Sequence, residues 1–227
     1  MTWEDTGKQA RKRLLDSIPS EWRLAEDKLP PADQASVLDF PSKSGLFTEH
    51  ELSITTSTAT QIVQAIACGE WKAVDVTRAF CKRAAVAHQL VCHAFHQFII
   101  SALLADFCTI KTNCLTVTMF DDAIQRATEL DEHYKQTGKT VGPLHGLPIS
   151  LKDNFNIVGK TSATGFCAWA DEPMQKDSTI VSMLRELGAV AYVKTNVPTA
   201  MMIAESVNNC YGRYACHIPC LRNSVHY

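Results

Sequence analysis

Gly142-Pro-Leu-His-Gly-Leu-Pro-Ile-Ser-Leu-Lys-Asp153 is the stretch on which the reading of this chain turns. A loop punctuated by Gly142, Pro143 and Gly146 runs into Leu147–Leu151, a short apolar run of the kind that forms a buried strand. Lys152 closes that run. A lysine held in a dry setting loses charge through desolvation and becomes a base at neutral pH. By period two, Ser150 and Lys152 share one face of the strand, opposite Ile149 and Leu151. The competing reading of Lys152 is a strand-end lysine whose stem lies on apolar surface while its head stays in water.

Working outward, the pattern on the C-terminal side alternates strand and helix. Asp177-Ser-Thr179 reads as a helix start, with Ile180, Val181, Leu184 and Leu187 as its apolar face and Gly188 as its stop. Ala189-Val-Ala-Tyr-Val-Lys194 reads as a second strand, so one β-α-β crossover with parallel strands is expected. A further helix is expected over about 199–207, with Met201, Met202 and Ile203 in the core.

On the N-terminal side the pattern is helical. An amphipathic helix is expected over about 8–18, ending at Pro19. Residues 19–50 read as polar and proline-containing, so 1–50 reads as an N-terminal extension. Ser57 or Thr58 caps a helix over about 59–67, stopped by Gly69. Ala73–Leu90 carries Val76, Phe80, Ala84 and Ala87 on one face. Asp121 or Asp122 caps a third helix, striped by Ile124, Ala127, Leu130 and Tyr134 and ended by Gly138.

Composition narrows the class. The chain has 227 residues, of which 46% are hydrophobic, enough to build a core. A net charge of −2 without a dense basic cluster argues against nucleic acid as a partner. The charged start lacks an apolar signal region, and the odd number of cysteines, nine, reads as reduced thiols, so a cytoplasmic location is expected. Four of the nine cysteines (Cys92, Cys108, Cys216, Cys220) and four of the eight histidines (His93, His96, His217, His226) crowd into 91–111 and 214–227. Segment 91–111 carries only Asp106 and Lys111 as charges, yet its uninterrupted apolar part, Phe98–Ala105, falls far short of the roughly 20 residues of a membrane span. No membrane association is expected.

Five segments together resemble one family. They are Val37-Leu-Asp-Phe-Pro-Ser-Lys-Ser-Gly45, Ala79-Phe-Cys-Lys-Arg-Ala-Ala85, Gly142–Asp153, Tyr192-Val-Lys-Thr-Asn-Val-Pro198, and Glu205-Ser-Val-Asn-Asn209 with Tyr211-Gly-Arg213. In this order and spacing they resemble the amidase signature family, and within it the fungal acetamidase-type enzymes. The resemblance implies an α/β fold: an N-terminal helical region, then the first part of a mixed α/β/α sheet, incomplete in these residues. It implies hydrolysis of short aliphatic carboxamides by a Ser–cis-Ser–Lys triad, with Lys152 as the matching lysine. It also implies that neither a metal nor an organic cofactor is needed. The family's Gly-Gly-Ser-Ser-Gly-Gly-like motif is absent from the 227 residues, so both serines are missing and this chain is expected to be inactive.

Two departures set the domain reading. In the resembling enzymes the helix ending at Leu90 continues directly into a segment like Thr112-Asn-Cys-Leu115, which makes 91–111 additional. Val91-Cys92 is encodable as GTA-TGT, Ala105-Asp106 as GCT-GAC and Lys111 as AAG, the donor, branch and acceptor signals of a fungal intron. After Arg213 the family pattern stops, and Arg213-Tyr214-Ala215 is encodable with the same donor signal. Residues 51–213 therefore read as the N-terminal part of an amidase domain, 91–111 as a translated intron and 214–227 as an aberrant tail. Two other functions stand beside this one: a non-catalytic truncated product that associates with a full-length homologue, or forms a homo-oligomer, through an open sheet edge, and an amidotransferase A-type subunit.

Other residues invite chemistry. Lys194 ends the second strand as Lys152 ends the first, and is the rival base. Asp153 and Asn154 either orient the lysine or form a turn or helix cap. His145 invites a Ser/His triad, but no Gly-x-Ser-x-Gly elbow accompanies it. Cys216, His217, Cys220 and His226 lack a recognised zinc spacing. Thr161-Ser-Ala-Thr-Gly165 either lines a pocket or is a plain connector.

Overall fold

The computed structural model describes residues 2–30, 37–92 and 110–213. Most of 91–111 and all of the tail 214–227 therefore lie outside the described residues, as do Cys216, His217, Cys220 and His226.

The sheet that carries the site has three strands in the order β3-β5-β4. Here β3 is Leu115–Thr118, β4 is Pro148–Lys152 and β5 is Val190–Thr195. Strands β4 and β5 pair in parallel with Pro148 opposite Val190 and Lys152 opposite Thr195, and helix α7 (Thr179–Glu186) makes the crossover. This is the expected β-α-β unit. Strand β3, which the sequence did not announce, pairs antiparallel with the other side of β5 and makes the sheet mixed. Ile149 and Leu151 pack with Met119, Ile157, Val181 and Leu184. Val190 and Val193 belong to a larger core shared with the helices described next.

Those helices are α1 (Trp3–Asp16), α2 (Phe40–Lys43), α3 (Glu49–Thr56), α4 (Ala59–Ala67), α5 (Ala73–Gln89) and α6 (Phe120–Thr137). Capping boxes start α1 at Thr2/Asp5, α3 at Thr48/Glu51 and α4 at Thr58/Gln61, each satisfying two backbone donors reciprocally. Helix α5 lacks a cap of its own at Lys72. Asp131, on α6, supplies it across space, accepting from Ala73 N at 2.7 Å and Val74 N at 3.0 Å. Helix α6 begins at Phe120 with Met119 at its cap position, so Asp121 and Asp122 sit in its first turn, where carboxylates favour the helix dipole. Residues 3–22 lie against the sheet: Ala10, Leu14, Ile18 and Trp22 are buried in the same core as Leu115, Phe120 and Val193. Fully burying a side chain such as Leu14 or Ile18 contributes about 1.5–3 kcal/mol.

Two expectations need correction. The helix expected over 199–207 is only a 3-10 turn at Thr199–Met201, followed by a short strand pair, β6 (Val207–Asn208) with β7 (Gly212–Arg213). Ala200 and Met201 have φ of 53° and 60°, outside the right-handed helical region. Met201, Met202 and Ile203 are exposed at 40%, 79% and 54%, so they are surface residues and not core. Apart from these, β1 (Val91–Cys92) and β2 (Ile110–Lys111) form an antiparallel pair.

Candidate active site

The site lies where β4 and β5 end. Lys152 is the last residue of β4, opposite Thr195, and its side chain is exposed, as is that of Ser150 on the same face. Leu151 before it and Asp153 after it are buried. The chain then turns, with Phe155 N donating to Lys152 O at 3.0 Å and Asp153 N donating to Thr195 O at 3.0 Å. The dry amine expected at Lys152 is therefore not found at that position: water reaches it.

The desolvated lysine is Lys194. It and Asp153 are both 0% exposed, with Lys194 Nζ 3.4 Å from Asp153 Oδ1. Burial holds the Lys194 amine below the ordinary lysine range, while the Asp153 carboxylate pulls it back up. Nζ also donates to Thr161 O at 2.5 Å and Ser162 Oγ at 2.6 Å. Ser162 Oγ gives its own proton to Phe155 O at 3.1 Å. An ammonium has three N–H donors, and here three acceptors take them, which leaves no lone pair for a base. Asp153 is equally well served: Thr116 Oγ1 donates to Oδ1 at 2.8 Å and Thr164 N to Oδ2 at 2.8 Å. The loop Thr161–Gly165 thus wraps the ion pair, and Gly165 is required there. At its φ of +80°, an added Cβ would lie 2.8 Å from Thr199 Cα and 2.9 Å from Asn208 Cβ.

Asp153 is neither a helix cap nor a solvated turn residue, whereas Asn154 is exposed at the turn. His145 sits before β4, at the end of the strand remote from Lys152, and is 1% exposed. Its Nδ1 accepts from Val141 N at 3.0 Å, and its Nε2 has no partner among the described residues. Burial lowers its pKa. Among the described residues no serine–histidine pair forms there.

Two groups escaped the sequence reading. Thr116 sits on the strand that was not foreseen. Asn196 and Asn208 lie in two of the resembling segments, but their direct bond was not anticipated. Both amides are buried and must find partners, but their polar neighbours in Lys194-Thr-Asn196 and Glu205-Ser-Val-Asn-Asn209 gave no local sign of that burial.

The comparisons with known proteins agree with this architecture. The Amidase family model matches residues 105–217. The chain is 45% identical to a putative amidase, kk1C, of Curvularia clavata over 93% of its own length and 36% of the relative's. It is 43% identical to an acetamidase of Emericella nidulans, over 93% of this chain and 34% of that one. Among solved structures, a fatty acid amide hydrolase superposes with a TM-score of 0.76 at 32% identity, covering 92% of this chain and 34% of that chain. A peptide amidase of Stenotrophomonas maltophilia shares the fold with a TM-score of 0.54 at 22% identity, over 70% of this chain and 30% of that chain. The chain spans about a third of the length of the curated relatives it matches. Among the described residues no helix is long and apolar enough to cross a membrane. The chain belongs to the amidase signature family.

Proposed function

We propose that these residues are the base-bearing part of an amidase that hydrolyses short aliphatic carboxamides through a Ser–cis-Ser–Lys relay, with Lys152 as the base. The observation that supports this most directly is position: Lys152 closes β4 at the carboxyl edge of a parallel pair. That rim is where open α/β sheets place their ligands. In the relay, neutral Lys152 takes a proton from one serine hydroxyl, and that serine takes a proton from the second. The second serine attacks the amide carbonyl, and donors around the developing oxyanion stabilise it. Ammonia or an amine leaves, and water releases the acid from the acyl-enzyme.

The 227 residues hold the lysine and lack the family's serine motif. By themselves they have a base and no nucleophile, and the base is wet. Removing triad members from a serine hydrolase typically costs several orders of magnitude in rate. We therefore expect the chain alone to be inert toward amides. No metal or organic cofactor enters the relay.

Two preparations test this reading. The purified 227-residue chain should release no ammonia from acetamide. Residues 1–213 without 91–111, grafted in place of the matching third of a fungal acetamidase, should restore turnover, and K152A in that graft should lose several orders of magnitude. Ordinary turnover by the chain alone overturns its inactivity, and a K152A graft at full rate overturns the role of Lys152.

A further inference from the structure

Helix α1 touches both segments that leave the carboxyl ends of the parallel strands. Gly7, Ala10 and Leu14 form its buried stripe, and by helical spacing Arg11 and Arg13 flank that stripe on opposite sides. Arg11 Nη1 donates to Cys210 O at 2.5 Å and to Asn209 O at 3.4 Å, in the turn between β6 and β7. That contact holds the segment after β5. Arg13 Nη2 donates to Ala170 O at 3.2 Å and pairs with Asp171, which holds the segment after β4. Ser17, at the far end of the helix, accepts from Thr118 Oγ1 of β3 at 2.7 Å. Gly7 permits the close approach: an added Cβ there would lie 3.2 Å from Asn209 O and 3.4 Å from Cys210 O. The two held segments also close over the strand ends. Thr161 O and Thr164 N bond the Lys194–Asp153 pair, and Asn208 bonds Asn196 just past β5.

In an open α/β sheet a ligand sits outside the carboxyl ends of the strands, among the segments that leave them. We infer that α1 braces the amide-binding rim, with Arg11 and Arg13 as positioning residues: Arg11 seats the β6–β7 hairpin and Arg13 seats the 166–172 loop. Stability is not the main contribution of these contacts. The side chains of Arg13 and Asp171 are 52% and 44% exposed, and ion pairs so exposed add little. What the contacts supply is placement, since a displacement of about 1 Å in a positioning element is enough to impair a site. This inference rests on the reading of the rim as an amide site, but its first test needs no catalysis.

That test is hydrogen–deuterium exchange of the 227-residue chain, read on peptides spanning 166–172 and 206–213. R11M removes the guanidinium and keeps an apolar stem. It should speed exchange in 206–213 by about tenfold and leave 166–172 unchanged. R13M should speed 166–172 by about twofold to fivefold and leave 206–213 unchanged. The second test places each variant in the graft with a fungal acetamidase. There each should raise KM for acetamide by about threefold to tenfold. Mere loss of folded enzyme lowers the maximal rate at constant KM, so the KM shift separates positioning from stability. Unchanged exchange of the braced peptide in either variant overturns the brace, as does faster exchange of both peptides in both variants. The crossed exchange pattern with constant KM overturns the tie to amide binding. Failure of the relay itself would appear instead as full activity of the K152A graft, with the exchange pattern intact.

Discussion

Asn208 Nδ2 donates to Asn196 Oδ1 at 2.7 Å, joining the end of β5 to the strand β6 with both side chains buried. The same amide donates to Val197 O at 2.7 Å and accepts from Tyr211 N at 2.7 Å. Asn208→Ala leaves Val197 O, Tyr211 N and Asn196 Oδ1 short of partners. It should cost about 3 kcal/mol, read as a lower urea midpoint at unchanged slope. Asn208→Asp should cost as much, since a carboxylate cannot donate. A change below about 0.5 kcal/mol in both would mean the bond is ornamental.

Gly165 and Gly159 separate conformational from steric cost. Both have positive φ, +80° and +75°, but an added Cβ at Gly159 meets nothing within 4 Å. Gly159→Ala should cost about 1 kcal/mol for the left-handed backbone alone. Gly165→Ala adds overlap with Thr199 and Asn208 and should cost about 2–4 kcal/mol. Equal losses on chemical denaturation would refute the close packing of the 161–165 loop.

His145 makes stability depend on pH. Burial lowers its folded pKa, His133 and Arg126 push the same way, and Asp131 opposes them. Protonating Nδ1 would also break the bond from Val141 N. Because the folded value is depressed, the unfolded chain binds the proton first as pH falls. The contribution is fully present above the unfolded histidine pKa of about 6.5 and drains away below it until the folded value is reached. The difference in unfolding free energy between wild type and His145→Asn should be flat above pH 7 and narrow toward pH 5. A difference independent of pH would show that His145 does not titrate in this window.

Leu90 and Thr112 mark a seam. Thr112 N donates to Leu90 O at 2.9 Å, beside the pairs Val91–Lys111 and Cys92–Ile110. Facing residues in an antiparallel pair are about 4.5–5.5 Å apart at Cα, against 3.8 Å across a peptide bond. Joining Leu90 directly to Thr112 therefore needs a shift of only about 1–2 Å. The variant lacking 91–111 should fold with an unfolding midpoint at or above that of the full chain. Loss of cooperative unfolding in that variant would mean the segment belongs to the fold.

Much of the fold was legible. Strands β4 and β5, the crossover α7 and helices α4 and α5 follow from periodicity and stop signals, because each is a local amphipathic pattern with its own boundaries. Helix α3 went unread although Thr48-Glu-His-Glu51 spells a capping box. The helix expected over about 199–207 is broken by positive φ at Ala200 and Met201. Strand β3 is four residues long and pairs with a strand more than 70 residues away; its β-branched Thr116-Val-Thr118 is a strand signal, but too short a run to stand out. The site divided in the same way. Lys152 was picked out by its motif, while the burial of its neighbours depends on which segments converge there.

By itself the sequence determined the family, the helical and strand segments with strong periods, and the lysine at the end of the first parallel strand. These rest on residue order and local spacing, which survive without any knowledge of what lies across the core. Tertiary structure alone decided which of two similar strand-end lysines is dry. Desolvation and pairing depend on Thr116, Ser162 and Thr164 arriving around Lys194 and Asp153 from distant parts of the chain, and no period in the sequence records that convergence.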